Sequence, residues 1–190
     1  MNLQLTWDLF VLVFFIVIVS YSLIIGRDNT LKVILGTYVA GFTADALGNL
    51  FSMYFSGTPL LTSIINFSQF GTETEAIIFV KVLVFVLMVI LFSVKGAFSV
   101  DVQENTSSTM RLLFSVVYAI LSAGLIISII LVFVSGYSFV GGKIATADTA
   151  LLNLATQSFF IKSMVTHSYL WFSLPAVVFL LQSFYDKKAS

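Results

Sequence analysis

The stretch VILGTYVAGFTADALGNLFSMYF, residues 33–55, decides how the rest of the chain is read. It is long enough to cross a bilayer, whose ~30 Å hydrocarbon core takes roughly 17–25 helical residues, yet it carries Asp45 near its middle. Gly36, Ala40, Ala44 and Gly48 recur every four residues. In a membrane such a small-residue stripe lets helix backbones approach closely. Thr37, Gly41, Asp45 and Asn49 run beside it at the same spacing, so one face is small and the adjoining face polar. Lipid contact is unfavourable for that surface. The helix is expected to be central in a bundle or to sit at an oligomer interface.

Working outward, four more apolar segments flank it: Leu9–Ile25, Ala76–Val94, Leu112–Ser135 and the shorter Tyr169–Tyr185, which contains Pro175. Only 9% of the 190 residues are charged, against about 25% in a soluble domain. That is too few to cover a water-facing surface. A soluble enzyme and a disordered tail are excluded. Nine basic and nine acidic residues cancel, leaving no basic patch for a nucleic-acid backbone. The expected fold class is all-α: one polytopic membrane domain over residues 1–190 with five transmembrane helices, its partner being the lipid bilayer.

Lys and Arg gather in cytoplasmic loops, which tests the helix count. Five crossings put Arg27, Lys32, Lys95, Arg111, Lys187 and Lys188 on one side and Lys143 and Lys162 on the other. Four crossings divide the same charges evenly. The bias predicts five helices, with the N-terminus outside and the C-terminus cytoplasmic. Trp7, Tyr137, Trp171 and Tyr185 fall where an interfacial aromatic belt is expected. The first helix has no basic residue before it and no small-residue cleavage motif after it, so it is expected to persist rather than be removed as a signal peptide.

The loops differ in kind. Gly26–Thr30 reads as a tight cytoplasmic hairpin, with Gly26 ending one helix and Asn29 or Thr30 capping the next. Asp101–Thr109 is the most polar stretch and reads as a mobile cytoplasmic loop. Residues 56–75 suggest a short interfacial helix or a re-entrant turn. Residues 148–164, headed by Asp148, alternate apolar and mildly polar positions; they either lie in the interface plane or pack over the bundle.

Two charges lie inside spans. Asp45 is ~18 Å from the cytoplasmic start of its helix, and Lys81 ~8 Å from the outer boundary of the third, so their depths nearly match. A charge at the bilayer centre costs at least ~2.5–3.5 kcal/mol, and an Asp45–Lys81 salt bridge relieves both. Such a pair either fixes helix register or, with Asn49, lines an ion or proton path. Alternatively Lys81 snorkels outward while Asp45 is protonated or bonded to Asn49 or a serine. Ser115, Tyr118 and Ser122 share a face of the fourth helix and suit interhelical hydrogen bonds.

No conventional catalytic apparatus is legible. There is no cysteine, hence no disulfide, thiolate ligand or cysteine nucleophile. The single histidine, His167, has no carboxylate cluster at ligand spacing and no G-x-S-x-G serine to serve. It reads as an interfacial residue. No catalytic residue, metal or cofactor is expected, and the chain is not expected to be an enzyme.

Asp8 before an apolar helix, Gly26-Arg27 at its end, then Lys32 and the small-residue run from Gly36 onward resemble the CvpA (colicin V production) family of bacterial inner-membrane proteins. The later helix order extends the likeness over roughly residues 6–165. Asn29-Thr30 stands where the family's hinge has a second glycine, and the helix with Pro175 lies beyond the usual four. The resemblance implies a non-enzymatic accessory role in envelope homeostasis or export in the bacterial cytoplasmic membrane, and supplies no catalytic residues. Assembly with itself or with other membrane proteins is expected through the second helix. The alternatives are a small channel or transporter subunit using the Asp45, Asn49 and Lys81 face, or a membrane component of a larger secretion or motility machine.

Overall fold

A computed structural model describes residues 7–68, 72–95, 108–140, 142–143 and 159–189. In chain order these form α1 (Trp7–Ile25), α2 (Arg27–Phe55), α3 (Pro59–Ser68), α4 (Glu73–Lys95), α5 (Ser108–Val134), β1 (Tyr137–Ser138), β2 (Gly142–Lys143), α6 (Phe159–Thr166) and α7 (Ser168–Ala189). The strands are a two-residue antiparallel pairing, Tyr137 opposite Lys143 and Ser138 opposite Gly142. The fold is all-helical. Among the described residues α1, α2, α4 and α5 are each long and apolar enough to span a membrane. α6 and α7 meet at a 63° bend and together make a fifth span if the pair crosses as one.

The second helix begins six residues earlier than its apolar run, at Arg27 rather than Val33. Gly26, at φ 83°, reverses the chain in a single left-handed residue, which glycine adopts without strain. Asp28 sits in the first turn, where a negative charge meets the positive helix end. Asn29 and Thr30 do not cap α2; they finish α1. Asn29 Nδ2 donates to the Ile25 carbonyl at 2.9 Å, and Thr30 Oγ1 lies 2.8 Å from the carbonyls of both Ser22 and Gly26. Arg27, Asp28 and Lys32 are therefore helical residues rather than loop residues. At 1.5 Å per residue the 29-residue α2 is ~44 Å long, longer than the ~30 Å hydrocarbon core.

On the opposite side α3 is the short helix expected between residues 56 and 75. Gly57 N–H donates to Glu73 Oε1 at 3.3 Å, tying the end of α2 to the start of α4. The polar loop expected at 101–109 falls mostly outside the described residues, as does the 144–158 part of the expected interfacial helix, Asp148 included. Its described remainder, α6, packs on the bundle: Ile161 and Met164 are buried against Val11, Ile127 and Leu131. Phe160 N–H also donates to Asp8 Oδ1 at 3.1 Å.

α5 forms the centre. It touches α1, α2 and α7, and residues 121–129 are buried without a break. α2 shares that central position on one side only, leaving Leu35, Val39, Phe42 and Leu47 exposed for lipid. With apolar lipid outside there is little hydrophobic drive between helices, so close fit and hydrogen bonds must hold them. α7 shows both. The Trp171 ring lies directly over Gly124, where a Cβ would overlap it. Tyr118 donates to Gln182 Oε1 and Tyr38 donates to the Phe172 carbonyl, each at 2.5 Å. The latter acceptor adjoins Trp171, whose carbonyl loses its helical donor to Pro175.

Candidate functional site

The elements of the site are α2, α4 and the turn that follows α5. Lys81 Nζ lies 2.5 Å from Asp45 Oδ1, with 1% and 0% of the two side chains exposed. Asp45 Oδ2 accepts two more hydrogen bonds, from Ser138 Oγ at 2.7 Å and from the Val140 backbone N–H at 2.9 Å. Asn49 Nδ2 donates to Ser138 Oγ at 3.0 Å, which closes the network on α2. One carboxylate thus holds three segments. A buried carboxylate with one ammonium and two neutral donors has most of its acceptor capacity filled, the condition under which a buried ion pair is tolerable.

The turn explains why α5 ends where it does. Asp45 lies ten residues before the end of α2, or ~15 Å at 1.5 Å per residue, and the chain after Val134 turns at that level. Gly136, at φ 71°, makes the turn possible. Irregular backbone at membrane depth is tolerated only where protein satisfies it, and Asp45 supplies the acceptor for Val140. Aromatic rings close the remaining side. Phe133 stands 5.9 Å from Lys81 Nζ and packs edge-on with Phe85 and Phe139, and Phe139 with Phe172.

The small-residue stripe serves this arrangement within the chain. A Cβ on Gly48 would overlap Cγ of Lys81, so the glycine makes the channel through which the lysine stem reaches Asp45. A Cβ on Gly36 would come within 2.7 Å of Phe92 Cβ, and Ala40 and Ala44 are fully buried. The surface that the sequence offers to the bundle or to another copy is occupied by α4. We expect Gly48→Ala to lower stability by about 1–3 kcal/mol through overpacking. Gly41→Ala should cost much less, because its Cβ would meet only the end of Ile129, at 3.2 Å. Thermal unfolding in detergent compares them, and equal losses would contradict the assignment.

The other polar positions are not brought to the pair. Thr37 Oγ1 donates back to the Val33 carbonyl at 2.7 Å. Tyr118 is bonded to Gln182, ~24 Å along α5 from Val134 at 1.5 Å per residue. Ser115 is half-buried, and Ser122 is buried with no hydrogen-bond partner. His167 Nδ1 lies 3.0 Å from the Ser163 carbonyl in an exposed position. No group of three His, Cys, Asp or Glu side chains that could hold a metal occurs among the described residues. Ser138, Val140 and Gln182 were not among the residues expected from the sequence, because the level at which the chain turns after α5 is set by tertiary packing.

No protein-family model matches the chain, and no curated protein or solved structure matches it.

Proposed function

We propose that this chain is a non-enzymatic membrane factor, a helical scaffold whose inner charges lock its own helices rather than conduct. It would serve as an accessory component in envelope homeostasis or export in a bacterial cytoplasmic membrane, as the CvpA-like features Asp8, Gly26-Arg27 and Lys32 imply. The observation that supports this reading best is the closed network at Asp45. Three donors fill the carboxylate, Phe133 stands beside the lysine, and both charged side chains are sealed from solvent.

A proton or ion path needs a wetted carboxylate that can exchange its partner. An apolar cavity among the described residues, bordered by α1, α2, α4 and α5, is not lined by Asp45, Asn49 or Lys81. In this reading the N-terminus faces outward and the C-terminus the cytoplasm, following the six-to-two division of basic residues. Partners would dock on outward faces, since α4 covers the small face of α2. Liposomes containing the purified chain should show no pH-gradient-driven proton flux above empty liposomes, and Asp45→Asn should change stability without changing flux. Flux in the parent chain that Asp45→Asn abolishes would establish the channel or transporter reading instead. Co-purification from native membranes then identifies the partner proteins.

A further inference from the structure

α1 and α4 both lie beside α5 but make little contact with each other. The gap between them is a crevice of about 310 Å³, within the ~300–1,000 Å³ range of ligand sites. Its walls include Phe14 and Ile18 from α1 and Val86 and Val89 from α4, and Ile126 of α5 forms part of the floor. It adjoins the lipid-facing surface directly: Val17 and Ile90, on its rim, are 57% and 52% exposed. Only one end is polar. There Tyr21 OH and Ser93 Oγ lie 2.9 Å apart, and Ser22 is 1% exposed with no hydrogen-bond partner for its Oγ. A buried hydroxyl without an acceptor is costly.

We propose that this crevice holds one acyl chain of a glycerophospholipid, and that a turn about χ1 brings the buried Ser22 hydroxyl to the crevice wall, where it donates to an ester carbonyl of the lipid. Depth supports that occupant. Ser22 is three residues before the last residue of α1, Ile25, ~4.5 Å from the end of that helix, which would place it near the border between the ~30 Å hydrocarbon core and the head-group region. Ester groups of glycerolipids lie at that border. From Ser22 to Phe14 the crevice runs ~12 Å into the leaflet along α1, with apolar walls that suit methylene groups. Arg27 and Lys32 follow the hydroxyl end on the next helix, with Arg27 buried and paired with Asp28 at 3.1 Å. A chain entering sideways from the bilayer would set its ester by Ser22 and its tail along Val89 and Ile18.

The test uses the full chain in nanodiscs of a phospholipid with a photoreactive diazirine in mid-chain. After irradiation, label should concentrate on peptides covering Phe14–Ser22 and Val86–Val94. Val89→Trp, which fills the crevice, should cut that labelling roughly tenfold, about 1.4 kcal/mol of site affinity. Leu87→Trp, on the exposed face of α4, should leave it unchanged. Native mass spectrometry of the detergent-purified chain should show one retained phospholipid, retained several-fold less by Ser22→Ala. If Val89→Trp does not fold, the parent chain's labelling map still decides. Labelling spread evenly over the exposed faces overturns the proposal, and so does a retained molecule with no ester, such as a quinone.

Discussion

Asp45→Asn lowers the stability of the detergent-solubilised chain by about 3–5 kcal/mol, the range for removing one partner of a buried ion pair, and Asp45→Asn/Lys81→Met restores most of the loss. The single change strands an ammonium that is 1% exposed. An amide at position 45 also has one acceptor oxygen where the carboxylate serves three donors, Lys81, Ser138 and Val140. Methionine fits the double variant because its unbranched stem can follow the groove that Gly48 leaves for Lys81. Removing both charges together leaves neither one stranded in the interior, so the coupling should be large. Chemical denaturation of the four proteins measures it. A near-wild-type Asp45→Asn chain would mean that Lys81 reaches solvent by another route and that the network is incidental.

Gly124→Val releases α7 from the bundle. The Trp171 ring occupies the space of the missing side chain, and α5 cannot yield because it is buried among α1, α2 and α7. Overpacking of this kind costs about 1–3 kcal/mol, here concentrated on one helix–helix contact. The parent sequence has no cysteine, so a single cysteine at Val178, partly buried against the core, reports α7 docking. Its maleimide labelling should quicken roughly 5- to 150-fold in the Gly124→Val background, the population change that such an energy implies. An unchanged rate would show that α7 is held by the Tyr118–Gln182 and Tyr38–Phe172 bonds alone.

Much of the frame was legible because a bilayer imposes a length and punishes charge. Each of the four long helices covers the apolar segment expected for it to within one residue, and Asp45 and Lys81 could be matched by depth because no other charges lie in the middle of the apolar runs. The start of α2 was not legible, since Arg27, Asp28 and Lys32 look like loop residues until one sees that Gly26 alone turns the chain. The central place of α5 was hidden for a related reason: a uniformly apolar helix reads the same whether it faces lipid or protein. Ser138 and Val140 lie in a short turn whose level depends on where α5 stops against α2, which is a tertiary fact. The small-residue stripe showed that something packs closely on α2, but not that α4 of the same chain does so.

The Asp45 network also sets a timetable for synthesis. Lys81 follows Asp45 by 36 residues and Val140 by 95. At about 5–20 residues per second the ammonium is made ~2–7 s after the carboxylate, and the last backbone donor after ~5–19 s. α2 is also the least apolar of the four long helices, so the newborn α1–α2 hairpin carries its acid into the membrane before anything exists to receive it. We expect α2 to stay at the insertion machinery or in a shallow position until α4 is made. Ribosomes stalled before residue 81 should leave α2 accessible to aqueous probes.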